Sequence, residues 1–407
     1  MTQNRISVML FSNSTVRAGA EEHILQLLHG LDRTQFRLHL ACTPELSDRL
    51  RQDLPDDVSL TSLTLDSAKD LQGALSLYTS VRRKQVQILH SHMFRASFFA
   101  SPVGWFARVP VIIDTAHVRE VWRKGWKSNF LIDRIAAHFV DHTIAVSNGI
   151  AQYLTEVKGI PTEKINVIRT APVLSAARNV PYSRPELKQR FRFAADAVVV
   201  ILAGRLEPQK GHAVLIDALP QVLSEFPTVQ VVFLGEGSLR GELEALVAAR
   251  GLKNKICFAG FRRDLSDWFA AADLTVLPSF YEGLPMVALE SLFAGCPIVA
   301  TAVDGTPEVV IDRKTGLLVP PGDVRALGEA ICYMLGHREF ALNTAAAGAV
   351  FVRENFSVQK LIADTTTLYL RAWQQYLQRS GRIDQKIAGS PSFERQDTSP
   401  LPIVPRH

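Results

Sequence analysis

The chain has few cysteines, no long apolar run and only a small excess of positive charge. Its 407 residues include four cysteines, none of them in a C-x-x-C pair. This spacing argues against a zinc site or a disulfide framework and suits a reducing cytosol. No apolar run is long enough to span a membrane, and a strand-like stretch begins at Arg5 without a signal-peptide pattern. We therefore expect a cytoplasmic protein.

The charge and composition narrow the class of partner. The net charge of +5 is compatible with anionic substrates or an anionic membrane surface. It is weak support for nucleic acid, which we do not expect as a partner. Charged residues make up 21% of the sequence and apolar residues 47%, as in globular proteins. A chain of this length predicts two domains rather than one.

Short apolar segments alternate with longer helical patterns along most of the chain. In the first half the strand candidates are Ile6–Phe11, Arg37–Cys42, Ile88–His90, Val111–Thr115, His142–Val146 and Ile165–Ile168. In the second half they are Ala197–Ala203, Val229–Leu234, Lys255–Phe258, Leu274–Leu277, Pro297–Thr301 and Gly316–Val319. This alternation predicts an α/β protein with buried parallel strands, whose ligands bind at the carboxyl ends of the strands.

The simplest architecture is two Rossmann-like, doubly wound domains that face each other across a cleft. The first would comprise residues 1–180 and the second residues 196–356. Residues 181–195 contain prolines and many charges and are interpreted as a linker. A helical stretch follows at 357–379. The tail, 380–407, is rich in Ser, Pro, Arg and Gln and is predicted to be disordered.

The segment Tyr281-Glu-Gly-Leu-Pro-Met-Val-Ala-Leu-Glu290 is the most informative in the chain. Gly283 and Pro285 precede an apolar helical run, which places Glu282 in a loop and Glu290 one to two turns inside a helix. The open amides of the first helical turn between them are suited to an anion. A nucleotide-sugar would use one carboxylate for sugar hydroxyls, the other for ribose, and the amides for its diphosphate.

Two cations follow the first strand of the second half. Arg205 and Lys210 lie in Leu202-Ala-Gly-Arg-Leu-Glu-Pro-Gln-Lys-Gly211. A planar guanidinium and an ammonium at the carboxyl end of a strand could hold a diphosphate. The alternative is a solvated turn with ordinary surface cations. Beside the helix that carries Glu290, we favour phosphate binding.

A partial dinucleotide-binding pattern occurs in the second half. Gly235 and Gly237 match its first two glycines, but Arg240 occupies the sixth position. The turn after the first strand of the chain, Phe11 to Gly19, lacks the pattern, and we reject a nicotinamide dehydrogenase. Two interpretations remain open for the glycines, a close backbone approach to a nucleotide and an ordinary strand-to-helix turn.

Two histidines of the first half follow strands and could hydrogen-bond a sugar hydroxyl or a phosphate in the cleft. We favour a functional role for His117. His92 is left open, with an acceptor-side contact as its candidate role, and His90 is expected to be structural. Gly19 precedes the first helix and could let its N terminus approach a phosphate or an acceptor. A simple helix start is the alternative for Gly19.

The segment from Arg119 to Arg134 mixes five cations with Trp122 and Trp126. Such a segment could lie on an anionic membrane surface at the cytoplasmic face. The alternative is a charged helical face that is simply solvated.

In their order along the chain, these segments resemble the retaining glycosyltransferases of family 4, also called glycosyl transferases group 1, which have the GT-B fold. The likeness extends to about Gln378. The matching marks are Gly204-Arg-Leu with Lys210-Gly211, Leu234-Gly-Glu-Gly237, Phe258-Ala-Gly260, Ala272 to Ser279, the pair Glu282 and Glu290, Gly295-Cys-Pro297 with Thr301, Gly305-Thr-Pro-Glu308, and Thr315 to Pro320.

The resemblance implies roles for the matching residues. Arg205 and Lys210 would hold the donor diphosphate without a metal or other cofactor and stabilise the leaving group by charge. The ribose would bind Glu290, and the transferred sugar would contact Glu282 and His117. Donor contacts are further implied for the backbone of Gly283, Leu284, Pro285 and Met286 and for Gly19. The helix at 357–379 would pack back on the first domain.

The sequence departs from the family pattern at three places. Ile168-Arg-Thr-Ala-Pro172 replaces a common Asn-Gly-Val-Asp, Ala18 replaces one of two glycines, and Ser291 replaces an alanine. The expected activity is hexosyl transfer from a nucleotide-diphosphate-sugar to a glycan or lipid-linked acceptor in surface polysaccharide, lipopolysaccharide or glycolipid synthesis. The alternatives are a sugar-nucleotide epimerase of the same fold and a non-catalytic partner subunit.

Overall fold

The computed structural model describes residues 5–64, 70–120, 137–172 and 184–381, and these form two parallel sheets. The strands of the first sheet are β1 Ile6–Ser12, β2 Phe36–Cys42, β3 Ser59–Ser62, β4 Ile88–His92, β5 Val111–Ala116, β6 His142–Ala145 and β7 Ile165–Val167. The strands of the second are β8 Val198–Ala203, β9 Val229–Leu234, β10 Ile256–Gly260, β11 Leu274–Leu277, β12 Ile298–Thr301 and β13 Leu317–Val319.

Helices connect these strands and follow them at the end of the chain. In the first half they are α1 Gly19–Gly30, α2 Pro44–Leu50, α3 Leu71–Arg83, α4 Phe94–Phe106 and α5 Asn148–Glu156. In the second half they are α6 Arg184–Arg190, α7 His212–Glu225, α8 Arg240–Ala249, α9 Leu265–Ala271, α10 Met286–Phe293, α11 Val324–Gly336, α12 Arg338–Asn355 and α13 Val358–Arg379. None of the helices in the described ranges is both long enough and apolar enough to cross a bilayer.

Each sheet is doubly wound, as the alternating pattern predicts. The strand order is β3-β2-β1-β4-β5-β6-β7 in the first sheet and β10-β9-β8-β11-β12-β13 in the second. The chain winds outward in one direction and then returns to the other side of the starting strand. This reversal leaves a crevice at the carboxyl ends of β1 and β4, and a second at those of β8 and β11.

The predicted strands all occur, with ends within two residues of the prediction, but one further strand was missed. β3 is a four-residue edge strand, Ser59-Leu-Thr-Ser62, and its residues are partly exposed. Because an edge strand of this length buries little apolar surface, it has no apolar run that could reveal it in the sequence.

The segment interpreted as a linker contains a helix that packs on the second domain. Pro185 lies in the first turn of α6, where a proline is tolerated because it needs no intrahelical hydrogen bond there. After the helix, the ring of Phe191 stacks on Trp268 with 3.8 Å between ring centroids. Lys188 pairs with Asp273 at 3.0 Å. This part of the expected linker is therefore structured.

The last helix, α13, lies against the first sheet. Leu361, Leu368 and Tyr369 are buried in the same apolar cluster as residues of β1, β2 and α1. The Tyr369 hydroxyl lies 2.6 Å from Nδ1 of His90. The chain therefore returns to its first sheet after completing the second.

An apolar cluster extends across both sheets. Ala145, Val146 and Ile150 of the first half share it with Leu277 and Leu284 of the second. Burial of these side chains against one another favours close association of the two halves.

Candidate active site

The two crevices face each other, and their loops touch. A Cβ on Gly19, at the start of α1, would lie 3.2 Å from Cγ of Met286, at the start of α10. The N termini of these two helices therefore meet, and each carries partial positive charge. In the first turn of α1 the carboxylates of Glu21 and Glu22 offset this charge, so an anion would be attracted mainly by the N terminus of α10.

The conformation of the loop after β8 depends on Gly211. This residue has φ of +67°, and a Cβ on it would lie 2.0 Å from the carbonyl oxygen of Pro278. Glycine at this position allows the loop to pack closely against the end of β11. As a result Lys210 reaches Glu282, with 2.6 Å between Nζ and Oε1.

Glu282 is buried and held from three sides. Its Oε1 accepts hydrogen bonds from Lys210 and, at 2.7 Å, from the hydroxyl of Ser279. Its backbone N–H donates to Oδ2 of Asp304 at 2.8 Å. No described residue hydrogen-bonds to Oε2 of Glu282. That oxygen is the acceptor available to a ligand hydroxyl.

Helix α10 begins without a side-chain cap. Its N-cap residue is Pro285, and the amides of the first turn have no side-chain acceptor within the described ranges. Because Pro285 itself has no N–H, a backbone hydrogen bond to an anion must come from its neighbours, such as Met286. Glu290 lies one turn inside the helix and is half-buried, in agreement with its expected position.

His117 lies directly against the loop that carries Glu282. A Cβ on Gly283 would be only 1.7 Å from the carbonyl oxygen of His117. The hydroxyl of Ser147 donates to the carbonyl of Gly283 at 3.0 Å. The structure thus brings together Gly19, His117, Lys210, Glu282 and Met286 from both halves of the chain.

His92, for which an acceptor-side contact stays a prediction, lies against His117. It is completely buried, and its Nδ1 is 3.2 Å from Nε2 of His117. Burial lowers the pKa of both imidazoles well below the usual value. His90 is structural, as expected, because its two nitrogens lie 2.6 Å from Tyr369 Oη and Thr115 Oγ1.

Arg205 lines a cavity beside this cluster. Its guanidinium donates to Oε1 of Gln209 at 3.2 Å. The cavity has a volume of about 520 Å³ and is lined by Arg119, Arg205, Glu207, Pro208, Gln209, Phe280 and Tyr281. This volume is in the range of small-molecule sites. A second depression, of about 330 Å³, lies beside the edge strand β7 and α13 rather than at a switch point.

The partial dinucleotide pattern has a structural explanation. A Cβ on Gly235 would lie 2.0 Å from the carbonyl oxygen of Gly204, and one on Gly237 would lie 2.4 Å from that of Leu206. These glycines allow the loop after β9 to pack on the loop that carries Arg205. The close approach is therefore to the backbone of the protein itself.

Two carboxylates at the junction were not identified as functional from the sequence. Asp304 holds the Glu282 loop through its Oδ2, and its Oδ1 lies 2.7 Å from Nε of Arg119. Glu308 accepts the backbone N–H of Asn148, at the start of α5, at 2.6 Å. It also pairs with Arg169 at 2.8 Å. The motif Gly305-Thr-Pro-Glu308 was noted in the sequence as part of the family resemblance. The sequence did not indicate which residues Asp304 and Glu308 contact.

The pairing of Arg119 with Asp304 also changes the interpretation of the basic, tryptophan-containing segment. Arg119, the first residue of this segment, pairs with a residue at the junction between the two halves of the chain. Trp122 and Trp126 lie outside the described residues.

Comparison with known proteins agrees with this architecture. Residues 17–171 match the sequence family "Glycosyltransferase Family 4", and residues 197–337 match "Glycosyl transferases group 1". An uncharacterised glycosyltransferase of Methanocaldococcus jannaschii is 27% identical over 297 residues, which cover 69% of this chain and 74% of that protein.

A relative of known activity and a solved structure extend the comparison. The UDP-Gal:alpha-D-GlcNAc-diphosphoundecaprenol alpha-1,3-galactosyltransferase of Escherichia coli is 23% identical over 81% of this chain and 88% of its own. The crystal structure of Anabaena Alr3699/HepE in complex with UDP and glucose superimposes with a TM-score of 0.78 at 20% identity, over 93% of this chain and 100% of that one. The chain therefore belongs to the glycosyltransferases of group 1 and family 4 and has the GT-B fold.

Proposed function

We propose that the protein transfers a hexose from a nucleotide diphosphate to an acceptor hydroxyl with retention of configuration, without a metal. The observation that carries this proposal is the contact between Lys210 and Glu282 at the meeting point of two helix N termini. A cation, open amides and a carboxylate within one cluster suit the diphosphate and the sugar hydroxyls of one donor molecule. Glu290, inside the helix, is assigned to the ribose.

The proposed reaction breaks the bond between the sugar C1 and the diphosphate oxygen and forms the bond from C1 to the acceptor oxygen on the same face. The acceptor proton passes to the departing diphosphate. Lys210 and Arg205 stabilise the negative charge that develops on the leaving group, and His117 and Glu282 position the sugar. Magnesium or manganese is not required in this scheme, so EDTA should leave the rate unchanged.

The donor base is identified first by titrating the purified protein with UDP, GDP and ADP in a calorimeter. We expect one diphosphate to bind, and Lys210→Ala and Glu290→Ala each to weaken binding at least about tenfold, as expected for loss of a charge-assisted contact. Binding of none of the three would contradict the proposed donor site. UDP is the first candidate, because HepE binds UDP.

The reaction itself is tested with the matching nucleotide-sugar. Product formed only with acceptor, with the donor's anomeric configuration by NMR, would support retaining transfer. A free epimerised sugar from donor alone would identify an epimerase instead. Binding without turnover over a panel of lipid-linked and oligosaccharide acceptors would favour a non-catalytic subunit.

We propose a lipid-linked glycan acceptor in surface polysaccharide or glycolipid synthesis, reached at a membrane surface. The support is the Escherichia coli relative, whose named acceptor is a diphosphoundecaprenol-linked sugar. A bilayer-bound acceptor requires the enzyme to approach the membrane, and the first domain has a suitable surface on α3 and α4.

On α3, Leu71, Leu75 and Tyr78 form an exposed apolar stripe at helical spacing, and Leu71 is 83% exposed. On α4, Trp105 is 54% and Phe106 68% exposed. Exposed aromatic and aliphatic side chains together are typical of a membrane-contact surface.

The stripe on α3 ends at Arg82, whose guanidinium donates to the carbonyl oxygen of Ala107, directly after α4. The apolar residues of the two helices therefore belong to one surface. Arg83, Arg95 and Arg108 are also exposed on or beside these helices. Arginines around exposed aromatic side chains suit anionic headgroups.

Sedimentation with phosphatidylglycerol vesicles tests this surface. The double variant Trp105→Ser with Phe106→Ser should lose most vesicle binding, whereas Leu342→Ser with Val350→Ser, on the exposed side of α12, is the matched control. Trp122→Ala with Trp126→Ala tests the segment expected from the sequence. If no pair affects sedimentation, or if only the control pair does, the membrane proposal is wrong.

A further inference from the structure

Four histidines form a cluster behind the site. His23 comes from α1, His90 and His92 from β4, and His117 from the residue after β5. The ring centroids of His90 and His92 are 4.2 Å apart, and those of His23 and His117 are 5.1 Å apart. His23, His90 and His92 are at most 1% exposed, so their rings are fixed by packing.

Within the cluster, the partly exposed ring is that of His117. Its Nε2 lies 3.2 Å from Nδ1 of His92. No described residue hydrogen-bonds to Nδ1 of His117, and this atom is not among the buried unpaired atoms of the described chain. Nδ1 is therefore the nitrogen through which His117 can contact a ligand.

The proton between the two rings has two arrangements. If His92 Nδ1–H donates to His117 Nε2, then His117 carries its own proton on Nδ1, and Nε2 of His92 is a bare acceptor. If His117 Nε2–H donates instead, Nδ1 of His117 is bare, and His92 has an N–H on Nε2. Both arrangements assume neutral rings, which the burial of the cluster favours.

The surroundings of His92 discriminate between these arrangements. Its Nε2 is buried and has no hydrogen-bond partner among the described residues. A buried donor without a partner is rarer in proteins than a buried acceptor that is incompletely satisfied. The first arrangement, with a bare Nε2 on His92, is therefore the more stable one.

The backbone next to His92 is strained in a way that fits a functional requirement. Met93 has φ of +74° and ψ of +151°, a region that non-glycine residues rarely adopt. Strain of this kind is often found at active sites. Here it follows directly after the residue that contacts His117.

We propose that His92 is a positioning residue that fixes His117 as the Nδ1–H tautomer, so that His117 donates a hydrogen bond to an oxygen of the bound sugar. The site then selects donors that present a hydroxyl or other acceptor oxygen to that N–H. This inference rests on the proposed function for the identity of the ligand. The tautomer itself is a property of the free protein.

The tautomer is measured by long-range ¹H–¹⁵N NMR on the full-length protein labelled with [¹⁵N]histidine. The His117 signals are assigned by their loss in His117→Gln. We expect a protonated-type shift for Nδ1 and an unprotonated-type shift for Nε2 in the unsubstituted protein. The opposite pair of shifts would overturn the proposal without any variant of His92.

Two variants separate positioning from structural support. In His92→Asn the side-chain amide lies near the former Nδ1 and can still donate, whereas His92→Leu cannot. We expect His92→Leu to give mixed His117 tautomers and to lower kcat about tenfold or more, as for loss of an oriented donor, with the Kd of the diphosphate unchanged. His92→Asn should restore the single tautomer and most of kcat.

The outcomes distinguish the inference from the function on which it rests. Circular dichroism checks that both variants are folded, and equal loss of kcat in both folded variants without a tautomer change would contradict positioning by His92. If His92→Leu does not fold, the unsubstituted protein and His92→Asn still decide the tautomer. Failure of diphosphate binding in the unsubstituted protein would instead count against the proposed function.

Discussion

Gly283 of the second domain approaches His117 of the first so closely that a methyl group on Gly283 would lie 1.7 Å from the His117 carbonyl oxygen. The carbonyl of Gly283 also accepts the hydroxyl of Ser147, again from the first domain. Gly283 therefore makes a direct contact between the two halves of the chain, next to the cluster that contains Glu282. The spacing of these backbones leaves no room for a side chain.

This contact makes the effect of Gly283→Ala on activity predictable. The added methyl group must push the two domains apart, and displacements of this size can reduce a rate about a hundredfold. Binding of the nucleoside diphosphate should fall less than the rate, because Lys210 and Glu290 both belong to the second domain. Steady-state kinetics and calorimetry measure the two effects.

Gly241→Ala is the matched control for that substitution, because nothing lies within 4 Å of a Cβ placed there. Its activity should equal that of the unsubstituted protein. Full activity in Gly283→Ala would show that this contact is not needed in the reacting enzyme.

The pairing of Lys210 with Glu282 suggests that neutralising the carboxylate will separate binding from transfer. Glu282→Gln keeps the length of the side chain, and its amide oxygen can still accept from Lys210 and Ser279. We expect kcat to fall about a hundredfold, as for loss of a polar group that acts on the transition state, with little change in diphosphate affinity. An unchanged kcat would remove Glu282 from the proposed reaction.

Glu308 should couple the two domains energetically. Its carboxylate accepts the N–H of Asn148 and pairs with Arg169, and its side chain is 16% exposed. In a double-mutant cycle with Arg169→Ala and Glu308→Ala, we expect a coupling free energy of about 1 to 3 kcal/mol from urea unfolding.

The exposed pair Arg325 and Glu329 on α11 is the control for that cycle. Their side chains are 86% and 54% exposed, so solvent screens the pair and the coupling should be below about 0.5 kcal/mol. Equal couplings for the two pairs would contradict a specific role for Glu308 at the junction.

Buried histidines should make the protein less stable in mild acid. Burial lowers the pKa of His212 to about 4 and that of His90 to about 3. The unfolded chain takes up a proton near pH 6.5, but the folded one does not. Stability is therefore fully present above pH 6.5 and is lost as the pH falls toward 4, by up to about 1.4 kcal/mol per pH unit for each such histidine.

The variant His212→Leu removes one of these titrating histidines, so its contribution to the pH dependence of stability can be measured separately. Burial raises the pKa of Glu21, Asp114 and Asp304, which acts in the opposite direction, so the total slope is smaller than the histidines alone would give. The difference in slope between the two proteins, from urea unfolding at pH 7.5 to 4.5, should still be about one proton. Identical slopes would show that His212 does not carry this penalty.

The linear order of strands, helices and glycines determined the fold class of this protein. Runs such as Val229–Leu234 and Leu274–Leu277 occur at the predicted residues because buried parallel strands are apolar on both faces. The positions of Lys210, Glu282 and Glu290 could also be predicted, since the first two follow strands and Glu290 lies inside the helix that Pro285 starts. The local sequence pattern was sufficient to predict these features.

Which side chains contact one another was decided by the tertiary structure. Nothing in the local sequence indicates that His92 lies behind His117, that Arg169 pairs with Glu308, or that Gly283 packs on the His117 carbonyl. These partners are far apart in the chain and meet only after two sheets have folded and docked. Their contacts depend on the packing of whole domains, whereas the predicted strands and helices depend on neighbours in sequence.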